Sequence, residues 1–134
     1  MERLRLALEV PWGTPIVAAE DGTVLYIYQP KNAGGGCDPK FSNDAWNILI
    51  ENKDGTVAQY THVEASVPIH AKVIKGQIIG KNIARGWVCY PHVHYGIYRS
   101  RDTLYNSPHR ENLPLYFDGI EDGILKEGHT YAAP

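Results

Sequence analysis

Three histidines stand in strand-forming sequence: His62 in Tyr60-Thr61-His62-Val63, and His92 with His94 in Tyr90-Pro91-His92-Val93-His94-Tyr95. Residues two apart on a strand share a face, so His92 and His94 present both imidazoles to one surface. Imidazoles paired in this way suit a metal ion or the proton handling of a hydrolytic site. A surface strand also acquires two histidines by chance, so the pair alone is weak evidence. The upstream His62, with Gly76-Gln77-Ile78-Ile79-Gly80 and Arg85-Gly86-Trp87 between it and the pair, strengthens the reading. Cys37 and Cys89 are soft donors that such a site admits, although the favoured reading makes each a small half-buried residue. Two cysteines do not make a disulfide framework, and whether these two pair is left open.

The elements that must position these residues are strands. Strand-type alternation recurs over Leu4 to Val10, Ile16 to Ala19, Thr23 to Tyr28, Trp46 to Glu51, Val57 to Thr61, Lys72 to Ile74, Gln77 to Ala84 and His92 to Tyr98. Turn signals at Pro11-Trp12-Gly13, Asp21-Gly22, Lys53-Asp54-Gly55 and Lys75-Gly76 separate them. This spacing predicts an all-β sandwich or barrel-like pair of sheets, with a hairpin at Asp54-Gly55. Helical periodicity of useful length is missing, and Asp38 to Asp44, behind Pro39, predicts one or two turns at most. The stretch Gln29 to Asn43 is rich in Gly, Asn, Pro and Lys and is too long for a tight turn; long ordered loops of compact domains tend to carry function. After Tyr98 the chain becomes polar and proline-punctuated, and Tyr116-Phe117 reads as a late edge strand. Trp12 and Trp46 read as packing residues, whereas Trp87 and Tyr90 flank the His-x-His strand and either stack on a ligand or pack the rim.

Composition narrows the classes of function. The chain has 134 residues, 43% of them hydrophobic, and a formal net charge of −2. That length is enough for a domain with its own core, and the charge supplies no basic field for nucleic acid or anionic lipid. No apolar run is long enough for a membrane-spanning helix. The amino terminus alternates polar and apolar residues, as a strand does, and lacks the continuous apolar stretch of a signal peptide, so the compartment is not readable from it.

The motifs Gly13-Thr14-Pro15-Ile16-Val17-Ala18-Ala19, Asp21-Gly22-Thr23-Val24, Asp54-Gly55-Thr56, Tyr60-x-His62, Gly76-Gln77-x-x-Gly80 and Pro91-His92-x-His94, in this order, resemble the lysostaphin/LytM-type zinc metalloendopeptidases. The resemblance implies a duplicated hybrid motif of two antiparallel sheets, in which the Gln29 to Asn43 loop walls a substrate groove. It also implies one domain over residues 1–134, with a core at 3–99 and a C-terminal extension at 100–134. Gly34-Gly35-Gly36-Cys37-Asp38-Pro39 and Leu113-Pro114-Leu115 resemble one periplasmic branch, so the resemblance points to the periplasm or the cell exterior. Cys37 and Cys89 would then border the same groove, where a bridge between them is conceivable. His70, His109 and His129 match no motif of the family and read as surface residues.

In that family zinc is held by a histidine, an aspartate a few residues later, and the second histidine of the His-x-His pair. Alignment on Gly13-Thr14-Pro15 puts the aspartate at Ala7 and the early histidine at or before Arg3, and neither residue ligates zinc. His94 is the one retained ligand, and His62 and His92 match the two non-ligand catalytic histidines. Glu9 shares strand parity with Ala7 but sits roughly 6.6 Å further along, too far to take its place directly. A histidine upstream of Met1 in a longer product would still leave Ala7 where the aspartate belongs. Arg3 and Arg5 share a strand face near the vacated position, where they either hold a carboxylate or are simply solvated.

Three readings follow. The leading one is a pseudoenzyme: a metallopeptidase-like domain that lacks two of three zinc ligands, needs no cofactor, and binds a peptidoglycan peptide or a protein partner through a groove including Arg3, Arg5, Trp87, Cys89 and Tyr90. The second is a working zinc endopeptidase with substitute ligands. The remote third is a histidine phosphocarrier, since the glucose-specific phosphotransferase domain shares the duplicated hybrid motif and His62 with His92 could mimic its two histidines. Nucleic-acid binding and membrane insertion are not expected.

Overall fold

The alternation written into the chain becomes a two-sheet sandwich in the computed structural model, which describes residues 5–99 and 112–113, with side chains over 8–99. Its strands, in chain order, are β1 (Arg5–Glu9), β2 (Pro15–Val17), β3 (Gly22–Tyr28), β4 (Gly35–Gly36), β5 (Asn47–Asn52), β6 (Val57–Thr61), β7 (Val63–Ala65), β8 (Lys72–Val73), β9 (Ile78–Asn82), β10 (Gly86–Trp87), β11 (His92–Tyr98) and β12 (Asn112–Leu113). The large antiparallel sheet runs β1-β11-β6-β5-β3-β8, with β12 also paired to β11. The small antiparallel sheet runs β2-β9-β7, and β4 and β10 form a parallel pair. Among the described residues no helix is long and apolar enough to cross a membrane.

The core lies between the two sheets. Ile48, Ile50, Ala58, Tyr60, Val93 and Tyr95 supply the inner face of the large sheet, and Val63 and Ile79 come from the small one. Each fully buried aliphatic side chain stabilises the fold by about 1.5–3 kcal/mol. Tyr60 and Tyr95 pack with ring centroids 5.1 Å apart, and the Tyr60 hydroxyl accepts the Ala19 N–H at 2.9 Å. Burial pushes the Tyr60 phenol up to about 12, so it stays neutral inside the core. Because strand side chains alternate, the other face of the same strands carries Asn47, Gln59, Thr61, His92, His94 and Tyr98. One face of the sheet is therefore apolar throughout, and the other is polar around the histidines and closes at its far end over a second small apolar cluster of Leu49, Val57 and Tyr98.

The hairpin at Asp54-Gly55 joins β5 to β6: Gly55 has φ +88, its N–H donates to Asn52 O at 2.9 Å, and the Asn52 N–H donates to Thr56 O at 2.7 Å. The expected turns behind Pro39 reduce to one 3-10 turn, Pro39–Phe41, capped by Asp38, whose carboxylate accepts the Lys40 N–H at 2.9 Å. Strands β4, β7 and β10 were not expected. β4 and β10 carry three glycines among four residues and have no alternation to read. The late strand expected at Tyr116-Phe117 lies outside the described residues. Trp12 corrects another expectation, being 39% exposed rather than packed.

The long insertion is stitched down along its length. Gly86 N–H donates to Gly34 O and Val88 N–H to Gly36 O, both at 2.9 Å. Cys37 and Cys89 form a disulfide across 52 residues, which settles their pairing. Both cysteines are exposed, so the expectation of small half-buried residues, like that of thiolate donors, is corrected. Trp46 anchors the far end by donating Nε1–H to Pro30 O at 3.1 Å and lying under the Arg85 guanidinium, 5.2 Å from the ring centroid.

Closure of that 52-residue span restricts the unfolded chain, so replacing both cysteines with serine is expected to destabilise the protein by about 2–4 kcal/mol in chemical denaturation. Gly86 has φ +101, and a Cβ there would lie 2.7 Å from Ala45 Cβ, whereas Gly55 has φ +88 and open space around it. Gly55→Ala should cost about 1–2 kcal/mol from backbone strain alone, and Gly86→Ala about 1–3 kcal/mol more from the added collision. Equal losses for the two variants would contradict this account.

Candidate functional site

Strand β11 lies between β1 and β6, and its register defines the site. His94 pairs with Thr61 on one side and with Ala7 on the other, and His92 pairs with Glu9. The rings of His92 and His94 are 4.6 Å apart, side by side on the polar face as the two-residue period requires. His62 arrives there differently. It follows Thr61 directly, so strand alternation would send it to the core side with Tyr60. Its backbone adopts φ 68, a left-handed conformation rare for a residue with a Cβ, and this turns the ring toward the other two. The turned peptide is held on both sides: His62 N–H donates to Trp46 O at 2.8 Å and His62 O accepts the Ile83 N–H at 2.9 Å. The His62 ring then stands 4.8 Å from His92 and 5.2 Å from His94.

Two of the rings are oriented by main-chain carbonyls. His62 Nδ1 lies 2.7 Å from Arg85 O, and His92 Nδ1 lies 2.7 Å from Tyr90 O. A carbonyl only accepts, so each Nδ1 carries a proton, and it is the neutral ring that leaves its lone pair on Nε2. Burial, helped by the neighbouring His92 and opposed by the Arg85 carbonyl, lowers the His62 pKa to about 4. His62 is therefore a neutral base at physiological pH. His62 and His92 are buried at 3% and 4% exposure, and His94 is half-buried. One potential ligand atom from each of the three lies within 4.8 Å of the others.

Beside the histidines the groove floor is polar and ordered. Asn47 Oδ1 accepts from Gln59 Nε2 at 2.7 Å and from Thr61 Oγ1 at 2.6 Å, while Asn47 Nδ2 donates to Ala45 O at 2.9 Å. A shallow recess, with room for no more than about one water, about 10 Å³, is lined by Gln59, Thr61, His94, Tyr95, Gly96 and Tyr98. Gln59 and Thr61 were not singled out from sequence, although two polar residues at strand spacing beside Tyr60 were a usable signal. The carbonyls of Arg85 and Tyr90 left none, because a main-chain group carries no residue type.

The remaining expected groove residues fall as follows. Trp87 and Tyr90 are exposed, and the Tyr90 ring lies 4.7 Å from that of His92. Cys89 is exposed, bridged to Cys37 and next in sequence to Tyr90. Arg5 pairs with Gly96 in the β1–β11 register, and Arg3, His109 and His129 lie outside the described residues. Glu9 is exposed and stands across from His92, two register pairs along from His94, and His70 is exposed.

Comparison with known proteins identifies the family and the fold. Residues 5–106 match peptidase family M23. Cell division protein DipM of Caulobacter vibrioides is 30% identical over 91 residues, which is 67% of this chain and 13% of that protein, so the chain corresponds to a small part of it. The catalytic domain of the antimicrobial peptidase lysostaphin from Staphylococcus simulans has the same fold, with a TM-score of 0.61 at 22% identity over 82% of this chain and 74% of that one. A catalytic-domain mutant of the prophage-encoded M23 protein EnpA from Enterococcus faecalis gives a TM-score of 0.61 at 25% identity, over 83% of this chain and 74% of that one. Sequence and fold together make this chain a member of peptidase family M23.

Proposed function

We propose that this domain is a non-catalytic member of its family that binds a peptide, such as a cell-wall peptide, in the groove above β11. The reading rests on the register of β1 against β11, which sets Ala7 directly opposite His94. Cross-strand partners share a face at about 5 Å, so a carboxylate at this position would stand beside the histidine, and alanine has no donor atom to offer. Zinc in a catalytic site supplies a Lewis acid and an activated water, and it normally keeps three protein ligands. The ligand set that the family resemblance implies does not fit this chain: Ala7 falls at the aspartate's place, the early histidine's place falls at or before Arg3, and only His94 remains.

What is left suits binding. In their neutral form, two imidazoles tethered through Nδ1 can accept peptide N–H groups at Nε2, and Gln59 and Thr61 add further polar groups beside His94. Trp87 and Tyr90 at the rim offer exposed aromatic surface for a sugar or an extended peptide. An exposed disulfide persists in oxidising compartments, which supports a periplasmic or extracellular setting where cell-wall peptides occur.

The competing reading, a working zinc endopeptidase with substitute ligands, draws on the same histidine cluster. Co-sedimentation with purified peptidoglycan sacculi, followed by assay of the supernatant for released fragments, separates the two. Retention of the protein without release is expected, and chelator-sensitive release by the native protein would overturn the proposal. A second measurement probes the missing ligands directly. The double variant Arg3→His with Ala7→Asp should acquire chelator-sensitive hydrolysis at least about tenfold above the native background, because it returns a three-residue ligand set and leaves His62 and His92 to move protons.

A further inference from the structure

We propose that His62, His92 and His94 together form a three-imidazole seat for a divalent transition-metal cation of the zinc type, a ligand set different from the one the family resemblance implies. This goes beyond the peptide-binding reading and does not depend on it.

The donor set is assembled before any ion arrives. The three ligand atoms lie within 4.8 Å of one another, and ring centroids are separated by 4.6 to 5.2 Å. Metal-ligating histidines generally donate their second N–H to a carbonyl or carboxylate, which sets the tautomer and aims the other nitrogen at the ion. His62 and His92 each have that arrangement, through Arg85 O and Tyr90 O. The carbonyls themselves are held in a segment tied to the insertion by the Cys37–Cys89 bridge and by the Gly86 and Val88 backbone bonds. The left-handed backbone at His62 is the kind of local strain that collects at sites built for a purpose.

Zn–N bonds of about 2.1 Å place tetrahedral ligand nitrogens about 3.4 Å apart, so the widest pair would close by about 1.4 Å. Shared between two rings, this is a swing of about 15° each, inside the roughly 30° that a rotamer well tolerates. Three imidazoles without a carboxylate select zinc, cobalt, nickel or copper over calcium and magnesium, which require oxygen ligands. Occupancy would commit both Nε2 lone pairs of His62 and His92. The two groups able to take a proton from water would then be ligands, which is why a bound cation here is compatible with absent hydrolysis.

The test uses the full chain, purified without an affinity tag and dialysed against chelator. Calorimetric titration with zinc chloride should give one saturable site with micromolar or tighter affinity. Titration with cobalt chloride should produce the visible absorption of a four-coordinate ion. His62→Gln and His92→Gln keep an N–H for the carbonyl and most of the side-chain volume. Each of them, like His94→Ala, should weaken zinc binding by about tenfold or more while the metal-free protein keeps its circular dichroism spectrum. Absence of saturable binding, or affinity unchanged in both glutamine variants, would overturn the inference. Peptidoglycan hydrolysis measured on the zinc-loaded protein reads the other proposal separately: binding with hydrolysis defeats the non-catalytic reading alone, and neither binding nor hydrolysis defeats the cation site alone.

Discussion

The site is organised by two main-chain carbonyls, those of Arg85 and Tyr90, each holding a histidine Nδ1 at 2.7 Å. Without them the imidazoles of His62 and His92 would be free to choose tautomer and rotamer, and a buried neutral ring with no defined donor would have no fixed chemistry. Both carbonyls belong to the same short stretch between β9 and β11, so that stretch must be immobile for the site to exist. Its immobility comes from the insertion: the β4–β10 pairing, the disulfide and the Trp46–Arg85 stack all converge on it. A loop distant in sequence therefore acts as the outer scaffold of the histidine cluster.

The main core and the histidine cluster occupy opposite faces of one sheet, and a second small apolar cluster of Leu49, Val57 and Tyr98 shares the histidine face. Ile48, Ile50, Ala58 and Val93 and the Tyr60–Tyr95 pair face the small sheet, and the histidines and the Asn47–Gln59–Thr61 network face the groove. The fold that this arrangement supports has a TM-score of 0.61 to the lysostaphin catalytic domain. The strand at position 7 is an edge strand of the large sheet, and its backbone bonds to β11 are indifferent to which side chain stands there.

In the proposed three-imidazole seat a divalent cation would be stabilised by the lone pairs and polarisability of imidazole alone. A bound peptide meets the same surface as a row of acceptors. Which occupant prevails depends on how tightly the carbonyls hold the rings, because the same tether that aims Nε2 at an ion also aims it at a peptide N–H.

Much of the architecture was readable in the chain. Alternation at Thr23 to Tyr28, Val57 to Thr61 and His92 to Tyr98 located central strands, because a half-buried strand must repeat its apolar side chains every second residue. The His92-x-His94 pair, the Asp54-Gly55 turn and the ordered motifs of the family followed from local rules that side-chain spacing obeys wherever the chain goes. Tertiary structure alone decided the rest. His62 joins the cluster only because a left-handed residue breaks the strand period, and that conformation is imposed by bonds to Trp46 and Ile83, far away in sequence. The pairing of Cys37 with Cys89, the glycine strands β4 and β10, and the carbonyl tethers depend on which loops meet in space, and main-chain atoms are the same in every residue. Sequence by itself specified which groups were available and which face of a strand they shared; the meeting of distant segments specified which of them point at one another.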